Sequence, residues 1–144
     1  MRTKSFMARL EHDRIVKTIA AAEMKTSGEI RVFIQRGEVD DAVAAGAARF
    51  QALGMTATHE RNAVLIFVAP RSQKFAVIGD EGIHQRCSVA FWAQLVEAIG
   101  VHFQDEEFTA AIVTAIEVAG ERLAEYFPRA PDDRNELPNA IEEM

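Results

Sequence analysis

Of the 144 residues only one is a cysteine, Cys87. A lone thiol excludes an internal disulfide and fits a reducing compartment. No stretch comes near the roughly eighteen consecutive apolar residues of a membrane helix, and the opening MRTKSFMARLEHDR lacks the apolar run of a signal peptide. Positive charge is in deficit: 16 Lys and Arg stand against 22 Asp and Glu, for a net charge of −6. That balance argues against a nucleic-acid footprint, which needs a basic surface, and is compatible with cation binding. There is no G-x-x-x-x-G-K-[ST], no G-x-G-x-x-G, and no G-x-S-x-G frame around Ser72. His12, His59, His84 and His102 show no zinc-like spacing with one another or with Cys87. Internal repeats and low-complexity segments are absent too. These absences lead to the expectation of one soluble, cytoplasmic domain with no membrane span.

What is present centres on Arg61–Gly82. Ala63–Ala69 is seven apolar residues without a break, rich in Val, Ile and Phe, and reads as a strand buried on both faces. Pro70–Gln73 makes a turn, and Lys74–Ile78 returns as an antiparallel strand. Gly79-Asp80-Glu81-Gly82 ends that hairpin with two carboxylates between glycines.

Around this hairpin the spacing predicts a helix from about Glu11 to Lys25 and a strand over Glu29–Gln35. A second helix, capped by Asp40 or Asp41, buries Val43, Ala47, Phe50 and Leu53. Ser88 caps a third helix with Trp92, Leu95, Val96 and Ile99 on one face, weakened at Gly100. Asp105-Glu106-Glu107 opens a fourth, striped by Phe108, Ile112, Ile116, Ala119, Leu123 and Tyr126, which Pro128 closes. A strand–helix–strand order gives a parallel pair. The expected architecture is a three-layer α/β/α sandwich with a small mixed sheet and helices on both faces. It forms a single domain over residues 1–144, with a core of about 8–128 and a tail of 129–144.

That topology gathers Glu29, Asn62, Asp80 and Glu81 at the starting edge of the parallel strands, with His59 and Glu60 just upstream. Calcium and magnesium take several oxygen ligands, which carboxylates on edge loops can supply. The same residues also suit plain turn chemistry and ion pairing. The opposite edge, with Arg36, Glu38, Asp40, Asp41 and Arg71, competes because open α/β sheets usually bind ligands there.

Several separated blocks carry a resemblance. Glu23 with Thr26–Val32, Glu60–Ile66 and Phe75–Ile83 resembles the TPM domain family, named after a thylakoid lumen protein, a photosystem II-associated protein and a worm receptor modulator. Phe91-Trp92, His102-Phe103, Tyr126-Phe127-Pro128 and Asp133–Pro138 resemble its short, stand-alone bacterial branch. The chain departs from the pattern at Ala63, where a Gly is usual, and at Asn139-Ala140-Ile141, where a longer acidic ending is common.

The resemblance implies an α/β/α sandwich, binding of calcium or another divalent metal in some members, and acid-phosphatase activity in plant members. Asp80 and Glu29 carry over as candidate ligands. It also implies a tail docked rather than loose, able to add Asp133 and Glu136 to a metal set of Glu29, Asp80 and Glu81. Two functions follow as expectations. One is a divalent-metal-binding accessory module with an unidentified protein partner. The other is a metal-dependent phosphatase acting on phosphomonoesters, with Arg31 and Arg61 neutralising the phosphate.

Overall fold

The computed structural model describes residues 1–129 and 141–143. In chain order the elements are α1 (Thr3–Ala8), α2 (His12–Glu23), β1 (Glu29–Ile34), α3 (Ala42–Ala52), β2 (Ala63–Ala69), β3 (Lys74–Gly79), α4 (Glu81–His84), α5 (Val89–Gln104), α6 (Phe108–Tyr126) and β4 (Ile141–Glu143). The strands lie in the order β3-β2-β1-β4. β1 and β2 are parallel, with Glu29 opposite Ala63 and Ile34 opposite Val68. β3 runs antiparallel to β2. β4, which no periodicity in the tail announces, pairs parallel with β1 from Val32 opposite Ile141.

The sheet is mixed and carries helices on both faces, as a strand buried at every position requires. Alternation sends Ile30, Val32, Ile34, Val64, Ile66 and Val68 into one core with α2, α5 and α6. Phe33, Leu65 and Phe67 point the other way, into a smaller core with Phe50 of α3 and Met55.

Three helix details differ from the periodicity. The spacing puts Val43 and Ala47 of α3 in its buried stripe, but Val43 is 64% exposed and Ala47 is exposed too. Ala42, Gly46 and Phe50 are buried instead. The phase is set by close approach: a Cβ at Gly46 would sit 3.1 Å from Ile78 Cγ1 and 3.4 Å from Phe67 Cβ. α5 continues through Gly100 to Gln104, and its inner face is Leu95 and Ile99, while Val96 is 43% exposed. Asp105 is the C-cap of α5 rather than the N-cap of α6, and α6 starts without a side-chain cap. Glu106, with φ of 57°, makes the break between them. The Gly79–Gly82 turn leads straight into α4, one helical turn long, which starts at Glu81.

Candidate functional site: the starting edge of the parallel strands

The entry into β2 is built by backbone that few residues tolerate. Arg61 has φ of 53°, in the left-handed region. Its carbonyl accepts from the Gly82 amide at 2.8 Å. A Cβ at Gly82 would lie 2.2 Å from the Glu60 carbonyl oxygen and 2.5 Å from that of Arg61. Glycine at 82 is therefore what lets the hairpin end close on the β2 entry.

This closure brings Asp80 against Arg61. The guanidinium donates from Nε to Asp80 Oδ2 at 2.7 Å and from Nη2 to Oδ1 at 2.8 Å. Oδ1 also accepts the Glu81 amide at 2.8 Å, capping α4. Asp80 is buried, so its charge is met by a two-pronged cation and a backbone donor. Glu81 remains exposed, with its carboxylate 3.4 Å from Arg61 Nη1. Thus Arg61 and Asp80, a candidate phosphate cation and a candidate metal ligand, are brought together and hold each other.

Beside them lies a second network. Ser27 Oγ donates to Glu60 Oε2 at 3.0 Å. The buried Asn62 donates from Nδ2 to Ser27 Oγ at 3.1 Å and to Glu60 Oε2 at 3.4 Å. It ties the entry of β1 to that of β2.

The third component is a pair of buried carboxyls. Glu29, the first residue of β1, is 1% exposed, and Glu23, the last of α2, is 2% exposed. The two carboxyls are in hydrogen-bond contact. Glu23 Oε2 accepts the Ile30 amide at 2.9 Å, and Arg129 Nη1 donates to the Glu23 carbonyl at 2.9 Å. Burial pushes the Glu23 carboxyl up from 4.5 to about 9, helped by the hydrogen bond to Glu29 and by its charge. The Ile30 amide and Arg129 oppose that shift. Among the described residues Glu23 Oε1 has no donor, which a proton retained by the raised Glu23 carboxyl would supply.

The chemistry of residues 23–29 alone did not single out Glu23, although a signal was present. Ile15, Ile19 and Glu23 recur every four residues and all three are buried. An acid on a buried helical stripe is the anomaly to notice.

Arg31 is buried on the same sheet face as Glu29. Asp133 and Glu136 lie outside the described residues. Among the described residues no three His, Cys, Asp or Glu side chains form a ready metal cluster. At the opposite edge Asp41 caps α3, accepting from Val43 and Ala44 amides at 3.0 and 3.1 Å, and Arg71 is 4.0 Å from Glu38. Cys87 is partly buried, and burial raises its thiol above the usual range.

A small α/β/α domain with a carboxyl-rich starting edge is the class that this geometry defines. The TPM domain family model matches residues 2–122, and the chain belongs to that family. A solved NMR structure, that of the BA42 protein from the psychrophilic bacterium Bizionia argentinensis, is similar over nearly the whole fold. The TM-score is 0.86 at 40% identity, covering 93% of this chain and 92% of that one. No curated protein matches the chain. No helix among the described residues is long and apolar enough to cross a membrane.

Proposed function

We propose that this TPM domain is a divalent-cation-binding module, taking calcium or magnesium, and serves a protein partner in the cytoplasm as an accessory protein. The observation that carries the reading is the Glu23–Glu29 pair. Two carboxyls buried to 1–2% are stable together only if something positive is shared between them. A proton fills that role in the metal-free chain, and a hard cation with oxygen preference fills it better when bound. Glu23 and Glu29 would hold the ion, with Asp80, Glu81, Asp133 and Glu136 as the further acids of the proposed set. The ion would supply the charge that lets both buried carboxyls ionise.

A second reading, a metal-dependent phosphatase for phosphomonoesters, is favoured by Arg61. Its side chain is 39% exposed, so it can meet an incoming phosphate at this same edge, whereas Arg31 is buried. A bound cation would polarise a phosphoryl oxygen.

The test is an amide NMR titration of the metal-stripped protein with calcium, then magnesium, followed by a phosphomonoester assay. Saturable shifts at Glu23 and Gly28–Arg31 are expected. Shifts confined to Glu38–Asp41, or none at millimolar metal, would overturn the cation reading. Turnover above a metal-free blank, lost in Arg61→Ala, would favour the phosphatase.

A further inference from the structure

The opposite edge holds a feature that the cation reading does not use. Where β2 ends, a cleft of about 640 Å³ opens between α1, the end of β2 and α5. Its volume falls in the range of roughly 300–1,000 Å³ typical of small-molecule sites. It also lies outside the carboxyl end of a parallel strand, the usual ligand position in open α/β sheets.

Four phenylalanines line it as one tilted array. Ring centroids are 4.8 Å apart for Phe6–Phe108, 5.0 Å for Phe75–Phe103 and 6.3 Å for Phe103–Phe108. Phe75, Phe103 and Phe108 remain only partly buried although they border the main core. Rigid rings left partly open at a concave surface offer stacking area at little entropic cost. Gly100 borders open space, since a Cβ there would make only ordinary contact with Phe75, at 3.8 Å.

The rim adds polarity and a sign. Gln73, Lys74, Gln104 and Glu106 are its polar lining side chains. Gln73 and Glu106 have φ of 51° and 57°, so among the described residues two of the three non-glycine residues in the left-handed region sit at this one rim. Each is a position where glycine would relieve strain, and each keeps a polar side chain instead. The Glu106 carboxylate is met by Arg9 at 2.8 Å. Lys74 Nζ spends one donor on the Asp40 carbonyl, and an ammonium has two more. The cleft therefore presents aromatic walls, with Lys74 as a cation at its rim and Glu106 already paired to Arg9.

We propose that this cleft binds a small aromatic carboxylate. The ring system stacks among Phe75, Phe103 and Phe108, and the carboxylate meets Lys74. The larger groove between α2 and α6, about 1040 Å³, differs in having no Phe, Tyr or Trp in its lining and a floor of Ala21, Ala22, Gly120 and Ala124.

The experiment is an amide NMR titration of the full chain with 2-naphthoate, with 2-naphthalenemethanol as the neutral isostere. Saturable shifts are expected at Val68–Pro70, Phe75, Gly100 and Phe103. Gly100→Leu, which fills the cleft and raises helix propensity, should weaken 2-naphthoate at least about tenfold. Lys74→Met should weaken 2-naphthoate and leave the alcohol unchanged, and this decides the matter if Gly100→Leu fails to fold. No saturable shift, shifts mapping to the α2–α6 groove, or a folded Gly100→Leu with unchanged binding would overturn the proposal.

Discussion

Arg61 holds both carboxylate oxygens of Asp80, at 2.7 and 2.8 Å, across the junction between the β2 entry and α4. Asp80 also caps α4 through the Glu81 amide. One acid therefore closes the turn from two sides, and its removal leaves the buried junction short of an acceptor.

Asp80→Ala is expected to lower stability by about 2 kcal/mol, a cap plus charged hydrogen bonds. Asp80→Asn keeps the cap and should cost less. Paired thermal melts and calcium titrations separate the roles of Asp80. We expect Tm to fall and, with Asp80 among the proposed acids, calcium affinity to weaken as well; a fall in Tm with unchanged affinity would remove Asp80 from the set.

Gly82→Ala should be among the most damaging single-methyl additions. Its Cβ would meet two backbone carbonyl oxygens at 2.2 and 2.5 Å, neither on a flexible side chain. A loss of about 3 kcal/mol is expected by urea unfolding. A loss below about 1 kcal/mol would mean that the turn can shift without opening.

The buried carboxyl pair predicts a pH dependence of definite sign. Between 4.5 and about 9 the folded chain keeps a proton on Glu23 that the unfolded chain has released. Stability from this group is fully present below 4.5 and is lost as pH rises toward 9. Metal-free protein should therefore melt at lower temperature at pH 8 than at pH 5.5, once other titrations are referenced to Glu23→Gln. That variant keeps an acceptor for the Ile30 amide and removes one proton from the linkage. Equal pH slopes in the two proteins would show that Glu23 is ionised throughout.

The sheet was legible because its central strand leaves no choice. Seven apolar residues at 63–69 cannot face water on either side, and one helix between two strands makes them parallel. Helix phase was harder to read. In α3 the large Val43 looks more like a core residue than Gly46, yet the sheet comes so close that even a Cβ at position 46 would press on Ile78, at 3.1 Å. Gly100 looks like a stop, but Leu95 and Ile99 are buried in the turns just before it and the helix runs on to Gln104. The actual break falls at Glu106, where no glycine marks it. At the site, Asn62, Asp80 and Glu81 were legible as neighbours from topology. What that reasoning could not give was pairing: a candidate ligand and a candidate phosphate cation turned out to bind each other. Glu23 escaped because it reaches the edge from the end of a helix rather than from a loop.

The most direct test of the proposed cation site is calorimetric calcium titration of metal-stripped protein near pH 6.5, in two buffers of different ionisation enthalpy. If the ion replaces the proton held by Glu23 and Glu29, binding releases about one proton per ion, and Glu23→Gln abolishes that release. Saturable binding with no proton released, or release unchanged in Glu23→Gln, would contradict the account and place the ion elsewhere.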